Sequence, residues 1–238
     1  MNIFAVDTSA KAVSAAILSD GKLVTQVTLH TGLTHSETLL PICEDLLKNS
    51  RMTLNDIDLF AAAIGPGSFT GLRIGISALK GFAFACGKNC VGVSSLLSLA
   101  YNHTDKKEIL CAVSDARRDD AYCAFFAAKD GKIIRLTEDL AVNISGMGEL
   151  FADFADQEIL LIGDGAQAVK AKYSEQKNIK VYNGPYGLQQ AYGTALAAYF
   201  DALDGKAIDA KELMPVYIRL PQAQRERLAR LKQQSENK

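Results

Sequence analysis

The chain has no tryptophan, five prolines and three histidines, and a net charge of -1. So few histidines leave little material for an imidazole metal centre or a histidine-driven triad. The balance of 26 basic and 27 acidic residues excludes a protein that coats nucleic acid with its whole surface, so an anionic partner is met locally if at all. No run of about eighteen apolar residues occurs, and Met1 to Val6 lacks a basic stretch ahead of a signal-length apolar core. A cytoplasmic location is therefore expected. Cys43, Cys86, Cys90, Cys111 and Cys123 are odd in number, never spaced as Cys-x-x-Cys and mostly inside apolar segments, as reduced core residues are.

What is present is ordinary bulk and one unusual loop. With 238 residues, 48% hydrophobic and 22% charged, the chain can bury one large core or two smaller ones. An apolar run from Ile57 to Ile64 reads as a strand buried on both faces, and Gly65-Pro66-Gly67 breaks it. Ser68 or Thr70 then caps a helix to about Ala85 with Leu72, Ile76, Leu79 and Ala83 as its apolar stripe. Gly71, Gly75 and Gly81 each cost that helix about 1 kcal/mol, which predicts another backbone coming close. The loop lacks a P-loop lysine, its glycines are one residue too wide for a dinucleotide fingerprint, and Ser68 lacks the glycines of a nucleophile elbow.

Elsewhere the pattern occurs twice. Ile3 to Val6 is a strand ending at Asp7-Thr8-Ser9, followed by two strands around Asp20-Gly21-Lys22, a hairpin signal. Ile109 to Val113 ends at Ser114-Asp115-Ala116, followed by two strands around Asp130-Gly131-Lys132. The aspartates are 108 residues apart and the turns 110, which suggests duplication. Thr34 to Glu37 fits a capping box opening a helix with Leu39, Leu40, Cys43, Leu46 and Leu47 on its apolar side, and Pro41 is expected to kink it. Helices around 145–154 and 188–203, strands at 158–162 and 179–182, and the turn Gly163-Asp164-Gly165-Ala166 complete an α/β second half. The expected domains are 1–104, 105–220 and a basic tail, 221–238.

Two tandem halves of this kind resemble the actin-like, heat-shock 70 and sugar-kinase (ASKHA) lobes, between which a nucleotide usually sits. Asp7-Thr8-Ser9, His35 to Pro41, Gly65 to Gly75 and Asp115 to Arg118 make the likeness narrower, because together they resemble the bacterial TsaB (YeaZ) family. That resemblance covers residues 1 to about 220. It implies a non-catalytic sister of TsaD, the transferase of threonylcarbamoyl to tRNA adenosine, with TsaD and the ATPase TsaE as partners, tRNA met through the complex, and a homodimer when TsaD is missing. It also implies that the first two long helices form the partner interface, assigned to His35, Leu39, Leu40, Gly71, Arg73, Gly75, Ala78 and Phe82. The competing use of the small residues is packing on the chain's own sheet.

The residues speak to the non-catalytic part separately. The sister enzyme holds metal with His-x-x-x-His on its first long helix, whereas here His35 is followed at that spacing by Leu39, so neither a metal site nor a catalytic residue is expected. Asp7, Thr8, Ser9, Asp115, Gly163, Asp164 and Gly165 stand where the superfamily binds nucleotide, and either retain that site in vestigial form or are turns held by local hydrogen bonds. No cofactor is expected. The alternative function is an independent ATP-dependent phosphotransferase or ATPase using Asp7 or Asp115 with Mg²⁺. Arg73, Arg117 and Arg118 are open to tRNA phosphate, partner or ion-pair roles.

Overall fold

The computed structural model describes residues 1–219, so the basic tail and the helix expected near 222–234 lie outside the described residues. Strand β1 (Asn2–Asp7) pairs antiparallel with β2 (Val13–Ser19), which pairs with β3 (Lys22–Leu29). Helix α1 (His35–Ser50) leads to β4 (Leu59–Gly65), α2 (Phe69–Cys86) and β5 (Asn89–Ser94), giving a sheet of order β3-β2-β1-β4-β5. After α3 (Ser95–Tyr101) come β6 (Ile109–Asp115), β7 (Asp120–Lys129), β8 (Lys132–Arg135) and β9 (Leu140–Asn143). Helix α4 (Met147–Ala152), β10 (Ile159–Ile162), α5 (Ala166–Lys172), β11 (Ile179–Val181) and α6 (Ala191–Leu203) complete the order.

The second sheet runs β11-β10-β6-β7-β8, with β9 also paired to β7. From its hairpin edge it has the order and strand directions of the first, with two antiparallel pairs and then two parallel ones. Even the hairpin turns agree. Asp20 and Gly21 have φ of 47° and 76°, and Asp130 and Gly131 have 52° and 74°, the left-handed pair that a two-residue turn needs. The chain is thus an ASKHA-type α/β protein with two like lobes.

Burial explains the unbroken apolar runs. Along β1, Ile3 and Ala5 face an inner cluster and Phe4 and Val6 face an outer one; along β6, Leu110 and Ala112 face in while Cys111 and Val113 face out. Both sheets are therefore covered on both sides. Helices α3 and α6 lie between them, α1 and α2 cover the far side of the first sheet, and α4 and α5 the far side of the second.

The packing of the described residues departs from the expected domain split. Residues 105–220 do not pack as one lobe: α6 lies on β1, β2, β4 and β5, and Cys90 pairs with Ile208 beside the first sheet. Conversely α3, from the first half, packs on β6, β7 and β8. The helix layer is exchanged because neither sheet can bury its inner face alone. Helix α1 continues through Pro41, which lies in its second turn on the exposed side. Finally α3, α5 and β9 had no expectation; α3 is buried nearly all round, so it shows no amphipathic period, and only its Ser94 cap marks it.

Candidate functional site

The end of β1 is locked from three directions. The Asp7 carboxylate accepts from the Ser9 amide (2.9 Å) and hydroxyl (2.6 Å), from Ser98 Oγ on α3 (3.3 Å) and from Thr194 Oγ1 on α6 (3.5 Å). It is 1% exposed, and burial pushes its carboxyl above the ordinary 3.8 against the pull of those bonds. Thr8 Oγ1 donates to the Gly71 carbonyl at 2.7 Å, and the Ser68 amide donates to the Ser9 carbonyl at 2.7 Å. A Cβ at Gly71 would run into the Thr8 carbonyl and one at Gly75 into Thr8 Oγ1. The glycines of α2 thus admit the turn after β1, while Ser68 caps the helix by accepting from the Gly71 amide. His35 completes the lock, its Nε2 lying 2.8 Å from the Ala10 carbonyl.

The end of β6 is open by comparison. Asp164 Oδ1 accepts from the Asp115 amide (3.0 Å) and Ser114 Oγ (3.2 Å), and Asp115 accepts from the Arg117 amide (2.7 Å). Gly163 and Gly165 let the turn after β10 lie against Val113, and Asp115 remains exposed. Arg117, Arg118 and Asp119 are all left-handed, with φ of 64°, 56° and 59°. A cleft of about 370 Å³ lies between the two strand ends, lined by Ser9, Lys11, Ser68, Asp115, Arg117 and Tyr217 among others. A second cavity of the same size adjoins it, where Lys11 and His30 face Asp164, Gln167 and Gln189. Gln189 is 1% exposed and its Oε1 has no hydrogen-bond partner.

In the first half these positions form a turn held by internal hydrogen bonds, the second of the two readings. Asp7 and Thr8 are buried with their polar atoms engaged inside the protein, so the turn after β1 presents neither a free carboxylate for a cation nor a free hydroxyl for phosphate. The residues do not fit a metal-nucleotide at Asp7. Among the described residues no group of three His, Cys, Asp or Glu side chains is placed to hold a metal ion. Burial raises the thiols of Cys43 and Cys123 to about 12 and of Cys90 to about 11, which removes them as thiolate nucleophiles.

The expected interface residues divide in two. Leu39, Gly71 and Gly75 are buried in the chain itself, Ala78 is half-buried, and Phe82 packs 6.1 Å from Phe4 and 6.5 Å from Phe60. Arg73 is exposed but engaged: its guanidinium sits 3.9 Å above the Phe69 ring and its Nε donates to Tyr217 Oη at 2.9 Å. Leu40 is 54% exposed, which takes it off the inward apolar side of α1 where the sequence pattern placed it. The outward face of α2 is instead Arg73, Ser77, Gly81 and Phe84, with Phe84 84% exposed, and Leu33 before α1 is 60% exposed. Phe84 had no distinguishing signal, since Ile74 and Phe82 of the same helix are equally large apolar residues off the Leu72, Ile76, Leu79, Ala83 stripe. Ser98, Thr194 and Tyr217 had no local signal, since their partners are 91, 187 and 144 residues away.

Residues 30–213 match the family model for TsaD, tRNA N6-adenosine threonylcarbamoyltransferase. The tRNA threonylcarbamoyladenosine biosynthesis protein TsaB of Escherichia coli is 30% identical over 92% of this chain and 95% of its own length. A solved structure of a Pseudomonas aeruginosa protein, described as similar to peptidase YeaZ, is 28% identical with a TM-score of 0.81 over 92% of this chain and 99% of that one. A ROK-family hexokinase from Thermus thermophilus shares the fold alone, at 12% identity and a TM-score of 0.51 over 85% of this chain and 100% of its own. End-to-end likeness in sequence and structure shows that this chain belongs to the TsaB (YeaZ) family.

Proposed function

We propose that this chain is a non-catalytic cytoplasmic subunit in tRNA threonylcarbamoyladenosine formation, which docks on TsaD through the outer faces of α1 and α2 and works with the ATPase TsaE. The observation that carries this reading is the surface of α2. Its eighteen residues are apolar enough in composition to cross a membrane, although only the Leu72, Ile76, Leu79 and Ala83 side is fully covered. The other side shows Ser77, Gly81 and Phe84, with Leu40 of α1 also exposed. A face of small residues beside Phe84, with a glycine that has nothing within 4 Å, suits a partner helix at close range. The same face serves a second copy of the chain when TsaD is missing.

The lack of chemistry of its own is supported by the locked turn. Asp7 is bound by four donors, and His35 is committed to the Ala10 carbonyl. The test is reconstitution of tRNA threonylcarbamoylation from TsaD, TsaE, the adenylate synthase, ATP and tRNA, with and without this chain. Modification that needs the chain, and is lost with Phe84→Glu along with TsaD binding, supports the proposal. Equal modification without the chain removes it and favours an independent ATP-dependent activity.

A further inference from the structure

The stretch after the last described helical turn, Ala210–Glu212, returns across the mouth of the cleft. Leu213 is 1% exposed and anchors it, with Lys80 Nζ donating to the Lys211 and Leu213 carbonyls at 3.0 Å. Beyond that anchor the hold is superficial. Met214 is 63% exposed, Val216 50% and Tyr217 36%. The Val216 amide donates to the Ile64 carbonyl (2.8 Å), and Tyr217 stacks on Phe69 with ring centroids 4.7 Å apart while accepting from Arg73. All those contacts are to the first lobe, at the end of β4 and the first turn of α2. Two residues on, Arg219 Nη1 pairs with Asp120 Oδ2 of β7 at 2.6 Å, in the second lobe, and both side chains are at least three-quarters covered. The strap therefore joins both lobes on the open side of a cleft of about 370 Å³, of which Val216 to Arg219 form one wall. Opposite it, α3 and α6 cross so closely that a Cβ at Gly193 would meet the Ser98 carbonyl, a contact suited to a pivot.

We propose that residues 214–219 are a latch between the lobes, closed by the Arg219–Asp120 pair and the Tyr217–Phe69–Arg73 stack, whose release lets the lobes separate about the α3–α6 crossing. A segment with one deep anchor and exposed apolar side chains opens at lower free energy than the sheets it spans. Its loss uncovers Phe69 and Arg73 at the head of α2. Opening and docking are thereby linked through one helix, but the latch needs no partner to be observed.

The experiment is hydrogen exchange at the Val216 amide, together with a distance measurement between spin labels at exposed positions 11 and 167 on opposite sides of the cleft, in a Cys86→Ser background. Arg219→Glu and Tyr217→Ala are each expected to speed Val216 exchange by about tenfold or more and to add a longer label distance. Asp120→Lys with Arg219→Glu is expected to bring both nearer to the parent values than either single change does. Faster exchange with an unchanged distance would show a strap that decorates one lobe, and would overturn the latch, as would no change in exchange.

Discussion

Asp7 and Asp115 hold the same station, the last residue of the first strand of each sheet, in halves with the same strand order and hairpin turns. Their surroundings are opposite. Asp7 is 1% exposed and receives bonds from α3 and α6, while Asp115 is exposed and bonds only within its own turn and the neighbouring one. The cause lies in the segments that leave β4 and β10. The first lobe places Gly67, Ser68 and Gly71 of an eighteen-residue helix and its lead-in onto the turn after β1, and the second places a seven-residue helix beside the turn after β6. Duplicated topology preserves the position of an aspartate but leaves its chemistry to the loop that covers it.

The largest expected effect breaks the first lobe alone. Gly75→Leu drives a side chain into Thr8 and is expected to cost about 3 kcal/mol or more in urea unfolding, with the protein failing before any interface is tested. Gly81→Ala on the same helix, with nothing within 4 Å, is expected to stabilise by about 0.5 to 1 kcal/mol, which separates packing from propensity.

Next, Asp7→Ala is expected to cost about 2 kcal/mol by removing the acceptor of the Ser9 amide and hydroxyl and of the buried Ser98–Thr194 pair, whose hydroxyls keep their own 2.8 Å bond, against under about 1 kcal/mol for Asp115→Ala. Equal losses in chemical denaturation would erase the contrast between the halves. The same aspartate sharpens it through pH. Its folded-state value lies above 3.8, so the folded state holds the proton more tightly; that contribution is complete below 3.8 and is lost as pH rises through the folded value. The stability of the parent protein minus that of Asp7→Asn is therefore expected to fall as pH rises above about 4, and Asp115→Asn serves as the control for the second lobe.

The smallest effect belongs to His103, 1% exposed, with Nε2 3.0 Å from the Tyr186 carbonyl and its ring 4.5 Å from that of Tyr182. Burial lowers its value below 6.5, so the unfolded chain takes the proton first and stability is lost as pH falls through 6.5. His103→Gln is expected to flatten that part of the profile between about pH 7 and 5, measured by thermal melts in matched buffers.

Much of this was legible because the signals were local. Asp20-Gly21 and Asp130-Gly131 name their turns, Ser68 its helix start, and the runs at Ile3 and Ile109 their strands. The candidate surface was half legible. The helices were identified, but Gly71 and Gly75 were left between a partner interface and packing on the chain's own sheet, and they face the chain's own core, because a small residue on a helix does not say which neighbour it meets. The start of α6 shows the limit plainly. Gln190 gives it no cap; the Ala191 amide donates instead to Ser14 Oγ and the Tyr192 amide to Gln26 Oε1, from the hairpin of the other half.

By itself the sequence determined the strands, their turns, the repeat and the family likeness, since periodicity, left-handed turn residues and caps act over a few positions. Only the tertiary structure decided that α3 and α6 change places between the lobes, that Asp7 is sealed while its twin is open, and that Phe84 faces outward. Each of those depends on which distant surface removes a group from water, and that is fixed when two sheets bury their inner faces against a shared layer of helices.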